Sequence, residues 1–97
     1  MKDRYSFTPE GLRAVELAGI APQEVWEVLH VPAGRRMIRH LQDVDLTTVC
    51  AATGAGRYLM VALQESALEA GDWDIVAARD LQADEVEVFE HYIRRQP

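Results

Sequence analysis

The sequence has few of the residues that form disulfides, hold metals or cross membranes. Cys50 is the only cysteine among 97 residues, which excludes an internal disulfide and every cysteine-pair metal or redox motif. The three histidines, His30, His40 and His91, show no metal-ligand spacing, so we expect neither a metal nor another cofactor. No apolar run approaches the ~20 residues that a membrane-spanning helix needs, so we expect no membrane association.

The composition that remains is typical of one globular domain. Hydrophobic residues make up 48% of the chain and charged residues 27%, and the length suits a single core, so we assign residues 1–97 to one domain. Residues 1–5 contain an acid and lack the apolar segment of a signal peptide. Together with the single cysteine, this predicts a protein of the reducing cytoplasm.

The net charge of −6 weakens the case for nucleic-acid binding, because proteins that bind phosphate backbones are usually basic. The charge is unevenly distributed, however. Four arginines lie in residues 35–57, whereas residues 65–90 hold nine acids and only one arginine. This asymmetry indicates one face that can meet an anion and another that can meet a basic partner. The alternative is a solvated surface that only keeps the protein soluble.

Two short helices are predicted in the first third of the chain. Thr8 and Pro9 form a helix start, with a capping side chain followed by proline at the first helical position. Gly19 is a typical helix stop. A second helix begins at Pro22 and ends before Pro32.

A β-meander and a closing helix are predicted in the remainder. Residues 47–53 and 57–63 read as strands joined by a glycine-rich hairpin turn, and residues 73–78 as the next strand. Residues 36–41 are a candidate fourth strand, and residues 82–94 form an amphipathic helix. The predicted fold class is α+β: two short N-terminal helices, an antiparallel β-meander of three to four strands, and a C-terminal helix packed on the sheet.

Two shorter segments are less determined by their pattern. Residues 5–7 are long enough only for an edge strand, and residues 65–72 are polar and small, which predicts a mobile loop.

Several short motifs occur in an order that points to a known family. They are Gly19-Ile20, Pro22-Gln23-Glu24-Val25, Gly56-Arg57-Tyr58-Leu59, and Ile75-Val76-Ala77-Ala78-Arg79 with Glu85 following. This order resembles the BrnT-type toxins, which are small members of the RelE-like group of bacterial toxin–antitoxin ribonucleases. The resemblance implies the fold of that group, an RNA-cleaving activity and an antitoxin partner.

The resemblance implies catalytic roles for three residues. RNA cleavage through its own 2′-hydroxyl needs a base, a cation for the phosphate charge and a proton donor. Arg79 would stabilise the phosphate, and Glu85 would act as the base or orient Arg79. Arg57 would join them if it lies on the same face. The alternatives are an Arg79–Glu85 ion pair that ties strand to helix, and a solvated turn residue at Arg57.

Four further residues are candidates for RNA binding. Arg35, Arg36 and Arg39 can contact backbone phosphates, and His40 is a candidate acid or base because of its imidazole ring. The alternative is an edge strand that charge keeps from aggregating.

The sequence therefore leaves two functions open. The first is a BrnT/RelE-like toxin that cleaves RNA and is neutralised by an antitoxin. The second is a non-catalytic binding or regulatory module on the same scaffold, which engages a basic protein partner through its acidic surface. The second is favoured by Leu17 and Ala18, which stand where such toxins usually carry a Lys-His pair. An exposed sheet edge also permits a homodimer.

Overall fold

The computed structural model describes residues 4–96. The prediction that the N-terminus is not a signal peptide depends in part on residues 1–3, which lie outside the described residues. The elements in chain order are β1 (Arg4–Phe7), α1 (Pro9–Leu17), α2 (Pro22–Leu29), a 3₁₀ turn (Ala33–Arg35), β2 (Met37–Leu41), β3 (Leu46–Ala52), β4 (Tyr58–Glu65), β5 (Asp72–Asp80) and α3 (Ala83–Arg94).

The strands form one sheet in the order β1-β5-β4-β3-β2. Strands β2 to β5 are the predicted antiparallel meander, which confirms the α+β class. The sheet as a whole is mixed, because β1 pairs with β5 in parallel. The sequence pattern permits an edge strand at residues 5–7 but carries no information on the direction of its partner strand.

One face of the sheet, here called the helix-pair face, is covered by α1 and α2. Ile75 of β5 and Val61 of β4 are fully buried there against Val15 of α1 and Val25 of α2. Burying a side chain of this size stabilises a fold by about 1.5–3 kcal/mol, so this is the main core of the domain.

The opposite face, here called the α3 face, is covered only in part. Met37, Cys50 and Phe89 form a small buried cluster between α3 and the sheet. On the same face Ala62 and Ala77, which pair across β4 and β5, are half-buried. The apolar stripe predicted on the helix is likewise only partly buried, with Phe89 5% and Val88 54% exposed. The helix therefore leaves an open strip of sheet beside it.

The helix boundaries follow the local chemistry. The Thr8 hydroxyl accepts a hydrogen bond from the Gly11 amide at 2.9 Å, which caps α1 as predicted. Gly19 ends the first helical segment with a φ of 72°, a conformation that glycine adopts without steric cost. Among residues 4–96, no helix is both long and apolar enough to span a membrane.

Candidate functional site

Arg79 and Glu85 form the strongest polar contact on the α3 face. Arg79 lies near the end of β5 and Glu85 in the first turn of α3. Both guanidinium end nitrogens donate to the two carboxylate oxygens, at 2.6 and 2.7 Å. Glu85 also accepts from the Gln82 amide at 2.9 Å and so completes a cap for α3. The ion pair expected as the alternative reading is therefore formed, but the Arg79 side chain remains 50% exposed.

The pair sets the protonation behaviour of both groups. The hydrogen bonds from Arg79, followed by the one from the Gln82 amide, lower the pKa of Glu85 to about 2. The hydrogen bond to Glu85 raises the pKa of Arg79. While the pair is intact, Glu85 is thus a weak base. An anion that draws the guanidinium away removes the main cause of the low pKa and leaves a more basic carboxylate beside it.

The low pKa of Glu85 predicts how the stability of the folded protein changes in acid. Because the folded pKa of Glu85 lies below its ordinary 4.5, the stabilisation by its charge is complete above about pH 4.5 and is lost as the pH falls towards 2. We expect Glu85→Gln to be less stable than wild type at pH 6, with the difference closing between pH 4.5 and 2. Urea unfolding across this range measures it. Asp84→Asn removes a carboxylate from the same helical turn and is the control. A difference that stays constant with pH would contradict the assignment.

A narrow cleft of about 120 Å³ lies beside this pair, between α3 and the sheet. Arg39 of β2 and Glu85 of α3 line opposite sides of it, and Cys50 lies among the residues at its base. Ligand pockets for whole small molecules usually exceed about 300 Å³. The cleft can therefore take a phosphate-sized group, whereas anything larger must lie across its mouth.

Cys50 does not contribute a nucleophile to this cleft. It is 1% exposed, and burial raises the pKa of its thiol, with the charge of Glu85 adding to the shift. A thiol with a raised pKa carries little thiolate at neutral pH.

Arg57 lies away from the Arg79 cleft, on the side of the helix pair. It donates to both carboxylate oxygens of Asp80, at 2.7 and 2.9 Å, to Glu24 at 3.0 Å and to the Gly19 carbonyl at 3.2 Å. Asp80 pairs across the sheet with Leu59, a core residue of the helix-pair face. The expectation that Arg57 shares a face with Arg79 is therefore wrong, and Arg57 is neither near the cleft nor a simple solvated turn residue.

The Arg57 contacts have a measurable structural role. We expect Arg57→Ala to lower the free energy of unfolding by about 1–2 kcal/mol, since it removes several charge-assisted hydrogen bonds at a site that is 30% exposed. Arg57→Lys should recover only part of this loss, because an ammonium cannot reproduce the bidentate contact. Urea unfolding is the measurement, with Arg13→Ala at an exposed position of α1 as the control. Equal stabilities for all variants would show that the network contributes nothing.

The four predicted RNA-binding residues are not brought together. Arg39 lies on the α3 face, whereas His40, the next residue of β2, points to the helix-pair side and contacts the Thr47 hydroxyl at 3.1 Å. Alternation along a strand makes this separation unavoidable. Arg35 lies in the 3₁₀ turn and lines a separate depression with His30 and Glu27. The site on the α3 face thus contains Arg79, Glu85 and Arg39, without His40.

Two partners in these contacts were missed by sequence reasoning. Asp80 follows Arg79 directly, and Glu24 lies in the first turn of α2, yet both bind Arg57. Their separations from Arg57, 23 and 33 residues, match no local spacing rule, so only an inference of the sheet register together with the helix docking would have found them.

Comparisons with protein-family models, with curated proteins and with solved structures found no match to this chain. The BrnT resemblance therefore remains a prediction, and the site has to be judged on its own chemistry.

Proposed function

We propose that this chain is a divergent BrnT/RelE-like toxin-fold protein that cleaves RNA at the Arg79–Glu85 pair and the adjoining cleft between α3 and the sheet. The observation that carries the proposal is the half-exposed, bidentate Arg79–Glu85 pair, with Arg39 lining the adjoining cleft. A cation and a carboxylate in direct contact supply two of the three groups that RNA cleavage through its own 2′-hydroxyl needs, and water can supply the third, the proton donor.

The reaction follows from exchange of partners at Arg79. A backbone phosphate laid across the cleft competes for the guanidinium, which then stabilises the negative charge that develops on the phosphoryl oxygens. Glu85, released from its strongest hydrogen bonds, accepts the proton of the 2′-hydroxyl. The 2′-oxygen bonds to phosphorus, the bond to the 5′-oxygen breaks, and water supplies the proton to that leaving oxygen. The products are a 2′,3′-cyclic phosphate and a 5′-hydroxyl end.

The charge of the domain favours a shallow, local contact with RNA. Arg39 lines the cleft together with the acids Asp84 and Glu85, and Arg79 reaches its border through the contact with Glu85. RNA binding at such a site should be weak and strongly dependent on salt, since few phosphates are neutralised. A partner protein that covers the α3 face would block it, which is the role we assign to an antitoxin.

The direct test uses the purified wild-type protein. Incubated with total RNA at low salt, it should produce fragments with 2′,3′-cyclic phosphate and 5′-hydroxyl ends, and its expression should arrest growth. Intact RNA together with normal growth would end the proposal of catalysis. Fragments that end in 3′-hydroxyl groups would exclude the mechanism given above.

The second candidate, a non-catalytic binding module, is favoured by the low pKa of Glu85, which makes that carboxylate a poor base in the free protein. Helix α3 also carries the exposed acids Asp84 and Glu87. If this candidate is right, the wild type leaves RNA intact but binds a lysine-rich peptide, and Glu87→Lys abolishes that binding. Arg13→Glu, on the exposed side of α1, is the control.

A further inference from the structure

The outer edge of β2 is a second polar surface, which shares Arg39 with the proposed cleft. β2 is the last strand of the sheet order, and within residues 4–96 no strand pairs with its outer side. From Ile38 to Leu41 every residue of β2 is exposed. An edge strand of this kind presents unpaired amide and carbonyl groups to any extended chain that approaches.

The charge along this edge is predominantly positive at one end. Arg35 and Arg39 are exposed, and Arg36 lies between them, just before the strand begins. The acids Asp43 and Asp45 come only after the strand, in the turn that leads to β3. A segment laid along β2 and past its beginning therefore meets Arg39 within the strand and Arg36 and Arg35 before it.

Exposed apolar side chains flank the polar residues in the middle of β2. Ile38 is 49% and Leu41 42% exposed, on either side of Arg39 and His40. Residues that follow one another along a strand point to opposite faces of the sheet. A partner strand thus encounters an arginine on the α3 face and an isoleucine on the helix-pair face.

A second copy of this chain fits the edge poorly. A two-fold axis that pairs β2 with itself in antiparallel fashion keeps each face of the sheet continuous. Arg39 then stands opposite its own copy or opposite a residue two positions away, Met37 or Leu41. Every such register brings cationic side chains of the two copies close together, and like charges across strands are destabilising. An acidic segment avoids this repulsion and neutralises the arginines.

We infer that the edge of β2 binds an extended, acidic segment of another protein, which adds to the sheet as a sixth strand. Main-chain hydrogen bonds supply the affinity, and Arg39 with the preceding arginines selects carboxylates on the added strand. The inference goes beyond the proposed function and does not depend on it, because it concerns binding and requires no RNA cleavage.

The probe for this inference is a fluorescent, end-blocked peptide of about ten residues, long enough for one strand, in which glutamate and valine alternate. A peptide with lysine in place of glutamate and one with N-methylated alternate amides are the matched controls. We expect the glutamate peptide to slow amide hydrogen exchange in β2 by about tenfold or more, and the two controls to leave it unchanged. Binding should weaken as salt is raised.

Two charge reversals test the role of Arg39, which also lines the cleft, and the exchange pattern distinguishes the edge of β2 from α3. Arg39→Glu should weaken binding of the glutamate peptide by about tenfold or more, whereas Arg13→Glu, a charge reversal at an exposed position of α1, should have little effect. Since Arg39 is exposed, both variants should melt as the wild type does, which circular dichroism can check.

Three results would overturn the inference. The first is the same protection of β2 by the lysine and glutamate peptides, and the second is protection confined to α3. The third is that no peptide changes hydrogen exchange in β2. If β2 is then protected in the protein alone, and this protection grows with protein concentration, the edge is a contact between two copies. RNA cleavage is measured separately, so failure of the proposed function does not affect this test.

Discussion

Replacing Gly11 by alanine should unfold much of the protein at temperatures where the wild type is native. Gly11 lies in α1 directly against β5, and a Cβ atom there would collide with the Ile75 carbonyl oxygen. It would also lie 2.9 Å from the carbonyl carbon of that residue and from the Thr8 hydroxyl. We expect a loss of about 3 kcal/mol, which is the upper range for overpacking.

The expected direction of the stability change makes the Gly11→Ala substitution informative. In an unconstrained helix, alanine is favoured over glycine by about 0.8–1.0 kcal/mol, so propensity alone predicts stabilisation. The packing effect is larger because β5 lies between β1 and β4 and cannot move away without breaking their pairing. For a domain of this size the midpoint of thermal unfolding should fall by roughly 10–20 °C.

Gly34→Ala is the matched control. A Cβ at that glycine has no neighbouring atom within 4 Å, and the residue is exposed. Thermal unfolding followed by circular dichroism should therefore show almost no change. A Gly11→Ala protein as stable as wild type would mean that α1 does not pack on β5 as described. Because β5 carries Arg79 close to its end, this packing also positions the proposed site.

The second large effect is expected at Arg79. Under the proposed mechanism, Arg79→Ala removes the cation that stabilises the phosphoryl charge, which should lower the rate of RNA cleavage by about a hundredfold or more. Stability should change by no more than about 1 kcal/mol, since the side chain is half exposed. The growth arrest caused by the wild type should disappear.

Companion variants distinguish chemistry from binding. Arg79→Lys keeps a positive charge and should retain part of the activity, although it cannot make the bidentate contact. Arg39→Ala should mainly raise KM, because Arg39 lines the cleft without touching Glu85 in any described contact. An Arg79→Ala protein that cleaves RNA as fast as wild type would remove Arg79 from the mechanism while leaving the fold unaffected.

Local patterns predicted most of the fold. The Thr8 cap, the Gly19 stop and the strand patterns of the meander each depend on neighbouring residues, and all are present. The predicted polar loop at residues 65–72 is shorter in the structure, because β4 continues through Glu65 and β5 begins at Asp72. Strand pairing at that end extends the ladder beyond the apolar residues that mark each strand in the sequence.

The site was predicted less completely, for a physical reason. Arg79 and Glu85 are six residues apart, and a strand that leads directly into a helix keeps such a pair close. Arg57 lies at a turn, where local pattern does not determine the face that a side chain occupies. Its partners come from α2 and from the end of β5, and only the packing of α2 on the sheet brings them to it.

By itself, the order of capping residues, glycines and alternating apolar positions determines two helices, a meander and a closing helix, because each of these features depends on contacts within a few residues. Tertiary structure alone decides that β1 pairs in parallel with β5, that Arg57 lies away from Arg79, and that α3 leaves part of the sheet face open. These outcomes depend on register and helix docking, in which residues far apart in the chain compete for the same partners.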